Sequence, residues 1–135
     1  MSNKAAVQAL QAKEKVMQDE IERFKKLQKE LQKFTASRMQ LDTQVNENKT
    51  VKEELDRLEE GAVLYKLVGP VLVKQELSEA KLTVEKRLTY ITKESERYAD
   101  MIKETQRTIE QGTEKLGRLQ QDYQQALMKV SSAGR

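Results

Sequence analysis

The sequence predicts a mainly α-helical fold: a long antiparallel coiled-coil hairpin whose turnaround is a short β-hairpin. Three observations carry that reading. Charged residues make up 35% of the 135-residue chain and aromatic residues only 4%, a balance that suits long solvated helices with a narrow apolar seam. Apolar residues recur every three or four positions along both halves. Between the halves lies one strongly β-forming run, and it holds the only proline, so each flank is free to continue as helix.

The first helix is predicted over about 5–59. Its seam reads Val7, Leu10, Met17, Ile21, Phe24, Leu27, Leu31, Phe34, Leu41, Val45, Leu55 and Leu58. The steps from Ile21 to Phe24 to Leu27 are both three, which predicts a stammer that overwinds the supercoil there. Arg38 and Asn48 fall on the same seam, where polar groups serve mostly to set register.

The hairpin is predicted over 61–75. From Val63 to Val73 eight of 11 residues are apolar, and Gly69-Pro70 supplies a tight turn between two strands. Val63, Tyr65 and Leu67 alternate with Leu64 and Val68, and Val71, Leu72 and Val73 return, so both faces are apolar. An isolated two-stranded hairpin is barely stable in water, and one with two apolar faces and open edges is predicted to pair with strands of other chains. Lys66 and Lys74 read as edge protection, their stems lying along the apolar surface.

The second helix is predicted over 76–131 and has the cleaner pattern. Two series advance by seven: Leu77, Val84, Ile91, Tyr98, Thr105, Gly112, Leu119, Ala126, and Lys81, Leu88, Ser95, Ile102, Ile109, Leu116, Tyr123, Val130. Apolar residues fill 12 of these 16 positions. Because the hairpin reverses the chain, the helices run antiparallel, with facing residue numbers summing to about 135. That register predicts Gly112 opposite Phe24 and Gly117 opposite Met17, missing side chains making room for bulky ones. At ~1.5 Å per residue, each arm would be on the order of 80 Å long.

Composition also narrows the function. The chain has no cysteine and no histidine, so it lacks a disulfide framework, thiolate zinc ligands and the commonest proton shuttle. Adjacent carboxylates such as Glu53-Glu54 and Glu59-Glu60 have no concave pocket to work in, and an enzyme is not expected. Neither a secretory leader nor a stretch of ~20 apolar residues is seen, which predicts a cytosolic protein that does not cross a membrane. The net charge of +3 is a small excess among interspersed charges; Arg23, Lys25, Lys26, Lys29 and Lys33 alternate with Glu20, Glu22 and Glu30 and read as a solvated face, with no nucleic-acid partner expected.

At this point the residues carry a family likeness. Helix, apolar hairpin and helix, with the run from Tyr65 through Val68, Gly69, Pro70 and Val73 to Leu77, resemble a β-type subunit of the prefoldin family. The likeness extends to Leu41, Asn46, Glu47, Asn48 and Lys49 before the hairpin, and to Val84, Lys86, Arg87, Leu88, Tyr90 and Ile91 after it. The layout covers residues 1–135 as one unit, the motif only its middle. The resemblance implies a hetero-hexamer of α-type and β-type subunits whose hairpins form a double β-barrel body. It further implies an ATP-independent chaperone that captures unfolded actin and tubulin class clients at coiled-coil tips and passes them to the cytosolic group II chaperonin. No cofactor and no catalytic residue come with it.

The residues suggest where capture would occur. Val7 and Leu10 should meet Ala126 and Val130 at the far end of the helices, where helix ends fray. Leu127 and Met128 fall outside both heptad series, so their apolar surface is expected to face water or a client. Packing of Val7, Leu10, Ala126 and Val130 within the coiled coil is an equally good reading. A non-chaperone coiled-coil scaffold or tether stays open, although such a rod would ordinarily carry its heptads through the centre.

Overall fold

A computed structural model describes residues 2–133. Helix α1 (Ser2–Asp56) leads into strands β1 (Leu64–Val68) and β2 (Val71–Gln75), and helix α2 (Leu77–Ala133) follows. The chain forms two compact units. A terminal unit takes the residues up to Phe34 and from Met101 onward, and a hairpin unit takes Thr35–Asp100.

In the terminal unit, α1 buries or half-buries Leu10, Lys13, Met17, Glu20, Phe24, Leu27, Leu31 and Phe34, spaced three and four in strict alternation. The expected stammer is therefore absent. Glu20 takes the seam position, and Ile21 sits beside it, 36% exposed. Apolarity alone had pointed to Ile21; the carboxylate can be buried because Arg23 and Lys115 each approach it to 3.5 Å. All sixteen heptad positions of α2, from Leu77 to Val130, are buried or half-buried as the sequence predicts.

Within each unit the helices run antiparallel. In the terminal unit Glu14 meets Tyr123 and Glu20 meets Lys115; in the hairpin unit Asp42 meets Ser95 and Asp56 meets Lys81. These pairs agree with facing numbers that sum to about 135, but the packing predicted for the glycines is corrected. A Cβ on Gly112 would lie 3.3 Å from Glu20 Oε1, so the gap accommodates the carboxylate and not Phe24. Gly117 has nothing within 4 Å of that point, and so makes no room for Met17.

The polar seam residues also act differently from their sequence reading. Asn48 donates to the Gln44 carbonyl of its own helix at 2.7 Å, and Arg38 lies 3.9 Å from Asp42. Ser95, by contrast, reaches the facing helix: its buried hydroxyl donates to Asp42 Oδ1 at 2.6 Å. Among the described residues, no buried side-chain nitrogen or oxygen lacks a partner.

The turnaround begins earlier than predicted. Helix α1 ends at Asp56, so Leu58 lies past it and outside the seam. Ala62 N–H then donates to the Glu59 carbonyl at 3.1 Å across a turn whose third residue, Gly61, has φ +87°. That geometry fits a type II turn, which requires a positive φ at this position and so selects glycine. Val63 falls between this turn and β1 rather than in a strand. The strands pair antiparallel from Leu64↔Gln75 to Val68↔Val71, and the two-residue loop has Gly69 at φ +58°. A positive φ at the first loop residue followed by proline matches a type II′ turn, whose twist suits a hairpin.

Candidate functional site

Two surfaces hold the residues singled out in the sequence, one in each unit. Among the described residues no three acidic side chains are grouped to hold a metal ion, and no helix is long and apolar enough to cross a membrane.

The hairpin unit presents the first surface. Pairing places Tyr65, Leu67, Leu72 and Lys74 on one face of the hairpin, and Leu64, Lys66, Val68, Val71, Val73 and Gln75 on the other. Only Leu64 and Gln75, at the open end, are partly covered; they border a groove with Val51, Leu55, Ala80 and Val84 of the helices. Beyond them the apolar side chains stand in water: Tyr65 is 61% exposed, Leu67 69% and Leu72 64%, and Val63, Val68, Val71 and Val73 are exposed with them. So dense an apolar patch marks a contact surface. The β1–β2 ladder also leaves one edge of each strand unpaired within the sheet.

The terminal unit presents the second surface, and here the candidates divide. Leu10 is buried at 9% exposure, and Ala126 and Val130 are half-buried, so these three belong to the seam. Val7, Leu127 and Met128 are exposed, Met128 at 71%. Val7 is displaced from the seam by Ala6, which occupies the heptad position four residues before Leu10. Sequence reading missed two further exposed apolar side chains of this unit, Val16 and Ile21. Completing the heptad through Glu20 would have found Ile21, since the residue beside a seam position is left outside it.

A polar contact fixes the helices beside these side chains. Tyr123 O–H donates to Glu14 Oε1 at 2.7 Å. That hydrogen bond, with lesser help from desolvation and the carboxylate charge, raises the phenol above its ordinary range. An open groove runs past the pair, lined by Gln11, Met17, Gln18 and Ile21. Its mixed walls suit loose apolar contact rather than a shaped ligand.

Known proteins share this arrangement. Residues 18–129 match the family model Prefoldin_2, described as prefoldin subunit. The chain is 46% identical over 123 residues to "Prefoldin subunit 6" of Canis lupus familiaris, covering 90% of this chain and 95% of that relative. It is 49% identical over 113 residues to "Prefoldin subunit 6" of Homo sapiens, covering 84% and 88%. In three dimensions it resembles the prefoldin beta subunit from Thermococcus strain KS-1, with a TM-score of 0.51 over 82% of this chain and 91% of that one. At 23% identity, that last likeness concerns the fold alone.

Proposed function

The chain belongs to the prefoldin family, and from that premise we propose that it is a β-type chaperone subunit that joins sister subunits through its β-hairpin and holds unfolded polypeptides with the terminal unit. The observation that carries the proposal is the separation of two exposed apolar surfaces: a continuous one on the hairpin, and a scattered one of Val7, Val16, Ile21, Leu127 and Met128. Continuous apolar strands with open edges suit permanent assembly. Isolated flexible side chains suit weak contact with varied unfolded segments, and affinity then rises when several subunits engage one client.

The single hairpin agrees with the β type, and the hetero-hexamer with its double-barrel body is the assembly this reading implies. On the same reading the complex is cytosolic and, without ATP, carries actin and tubulin class clients to the group II chaperonin. Leu10, Ala126 and Val130 then serve capture indirectly, by holding the helix ends together.

Deleting residues 1–11 and 124–135 tests the division of labour. Native mass spectrometry of the assembled complex should give an unchanged subunit count, while suppression of client aggregation should disappear. Undiminished holding by the truncated complex would refute capture at this surface.

A further inference from the structure

The charge of the molecule is unevenly divided between its units. Residues 1–34 and 101–135 carry 14 Lys and Arg against nine Asp and Glu, whereas residues 35–100 carry 11 against 13. The terminal unit is therefore positive and the hairpin unit slightly negative, a contrast hidden in a net charge of only +3. Both helices of the terminal unit share the excess, and on α1 Lys25, Lys26, Lys29 and Lys33 are all exposed and none has an ion pair among the described residues.

The sequence alone suggested that interleaved carboxylates neutralise this stretch. Folding takes one of them out of the balance together with Arg23, and the excess of cations in the stretch is kept. Glu20 turns into the seam, where its side chain is only 10% exposed, and its charge is met by Arg23 and Lys115. Glu22 and Glu30 remain outside against the four free lysines. A positive potential therefore persists on the outward side of α1, and exposed Ile21 lies one helical turn from Lys25.

From this charge pattern we infer that the terminal unit selects unfolded chains rich in acidic residues, the lysines attracting carboxylates while Val16, Ile21 and Met128 meet apolar side chains. The inference rests on the chaperone reading and adds a client class to it. Electrostatic attraction of this kind raises the rate of encounter and sets preference among partners, while the apolar contacts supply adhesion. A nucleic acid fits the surface less well. Phe24 and Phe34, the aromatics of this stretch, are half-buried on the seam and offer bases no stacking face, and Glu22 and Glu30 interrupt the cations.

The test uses the assembled complex and one client in two charge states. Reduced α-lactalbumin with blocked cysteines is permanently unfolded, and amidating its carboxylates removes the negative charge while leaving its apolar residues in place. The native complex should bind the acidic form about tenfold or more tightly than the amidated form in low salt, the gap closing near 1 M salt, where screening acts within ~3 Å. The combined substitution Lys25→Gln, Lys26→Gln, Lys29→Gln and Lys33→Gln should bring the two forms together, and the corresponding Lys→Arg set should restore the preference. Glutamine and arginine are both good helix formers, so helicity should persist in either variant. Equal binding of both client forms by the native complex, or an unchanged preference in the Gln variant, would overturn the inference and leave the chaperone reading intact. Binding of neither form would overturn both. A labelled RNA or DNA duplex held at 0.15 M salt and released by the Gln variant would instead assign the lysines to a nucleic acid and overturn the acidic-client inference.

Discussion

Glu20 occupies a position that coiled coils ordinarily give to leucine, and its neighbours explain how. Gly112 leaves space on the facing helix, and Lys115 with Arg23 balances the charge. The two helical glycines should consequently respond differently to alanine. Gly117→Ala adds a methyl group where nothing lies within 4 Å, so the gain in helix propensity, about 0.8–1 kcal/mol, should appear as a higher unfolding temperature. Gly112→Ala places its methyl 3.3 Å from Glu20 Oε1 and must displace the carboxylate slightly, so its gain should be smaller. Thermal unfolding followed by circular dichroism checks the ranking; an equal or larger gain at Gly112 would contradict the packing described. Tyr123 gives a second prediction. Its hydrogen bond to Glu14 favours the protonated phenol and raises its pKa, so the bond's contribution is complete below the ordinary phenol range and fades as pH climbs through the raised value. In an ultraviolet titration Tyr123 should ionise above the ordinary phenol range, and Glu14→Ala should lower its pKa towards that range.

Among the elements, the hairpin turn is the most tightly constrained. Gly69 at φ +58° adopts a conformation that costs an ordinary L-residue roughly 1–2 kcal/mol, so Gly69→Ala should lower the unfolding temperature of the assembled complex, whereas alanine at the exposed helical position Gln111 should leave it nearly unchanged. Helix α2 was legible down to its sixteen seam positions because apolar residues fill twelve of them. Helix α1 was less so, since Lys13, Glu20 and Lys52 hold seam positions and a search for apolar residues passes over them. The slip to Ile21 came from that, as did the pairing of Gly112 with Phe24, which requires knowing that a carboxylate enters the seam. The ends of the β segment were blurred for a related reason. Leu58 and Val63 continue the apolar spacing of their neighbours, but the turn at Glu59–Ala62 separates both from regular structure. As for the surfaces, exposure on the hairpin followed from its two-sided apolar pattern. Exposure in the terminal unit depended on heptad phase, so Leu127 and Met128 were found while Val16 and Ile21 were not.

For the whole molecule, the proposed function assigns assembly and capture to different residues, and that separation can be tested by substitution. The hairpin carries its apolar side chains in water when the chain is alone, and burying one leucine is worth about 1.5–3 kcal/mol. Tyr65, Leu67 and Leu72 share one face, so a carboxylate at each leucine both forfeits that burial and sets a charge where sister strands would pack. The double substitution Leu67→Asp and Leu72→Asp should therefore remove the chain from its complex, co-purification falling by more than tenfold in gel filtration or native mass spectrometry. Both side chains are already solvent-facing in the isolated chain, so the substitution should leave its helices intact by circular dichroism. Met128→Ser, on an exposed side chain of the other unit, should leave stoichiometry unchanged and reduce only the holding of unfolded clients. Full assembly by the double Asp variant would show that the hairpin faces are not buried between subunits, and the partners would then have to meet along the helices.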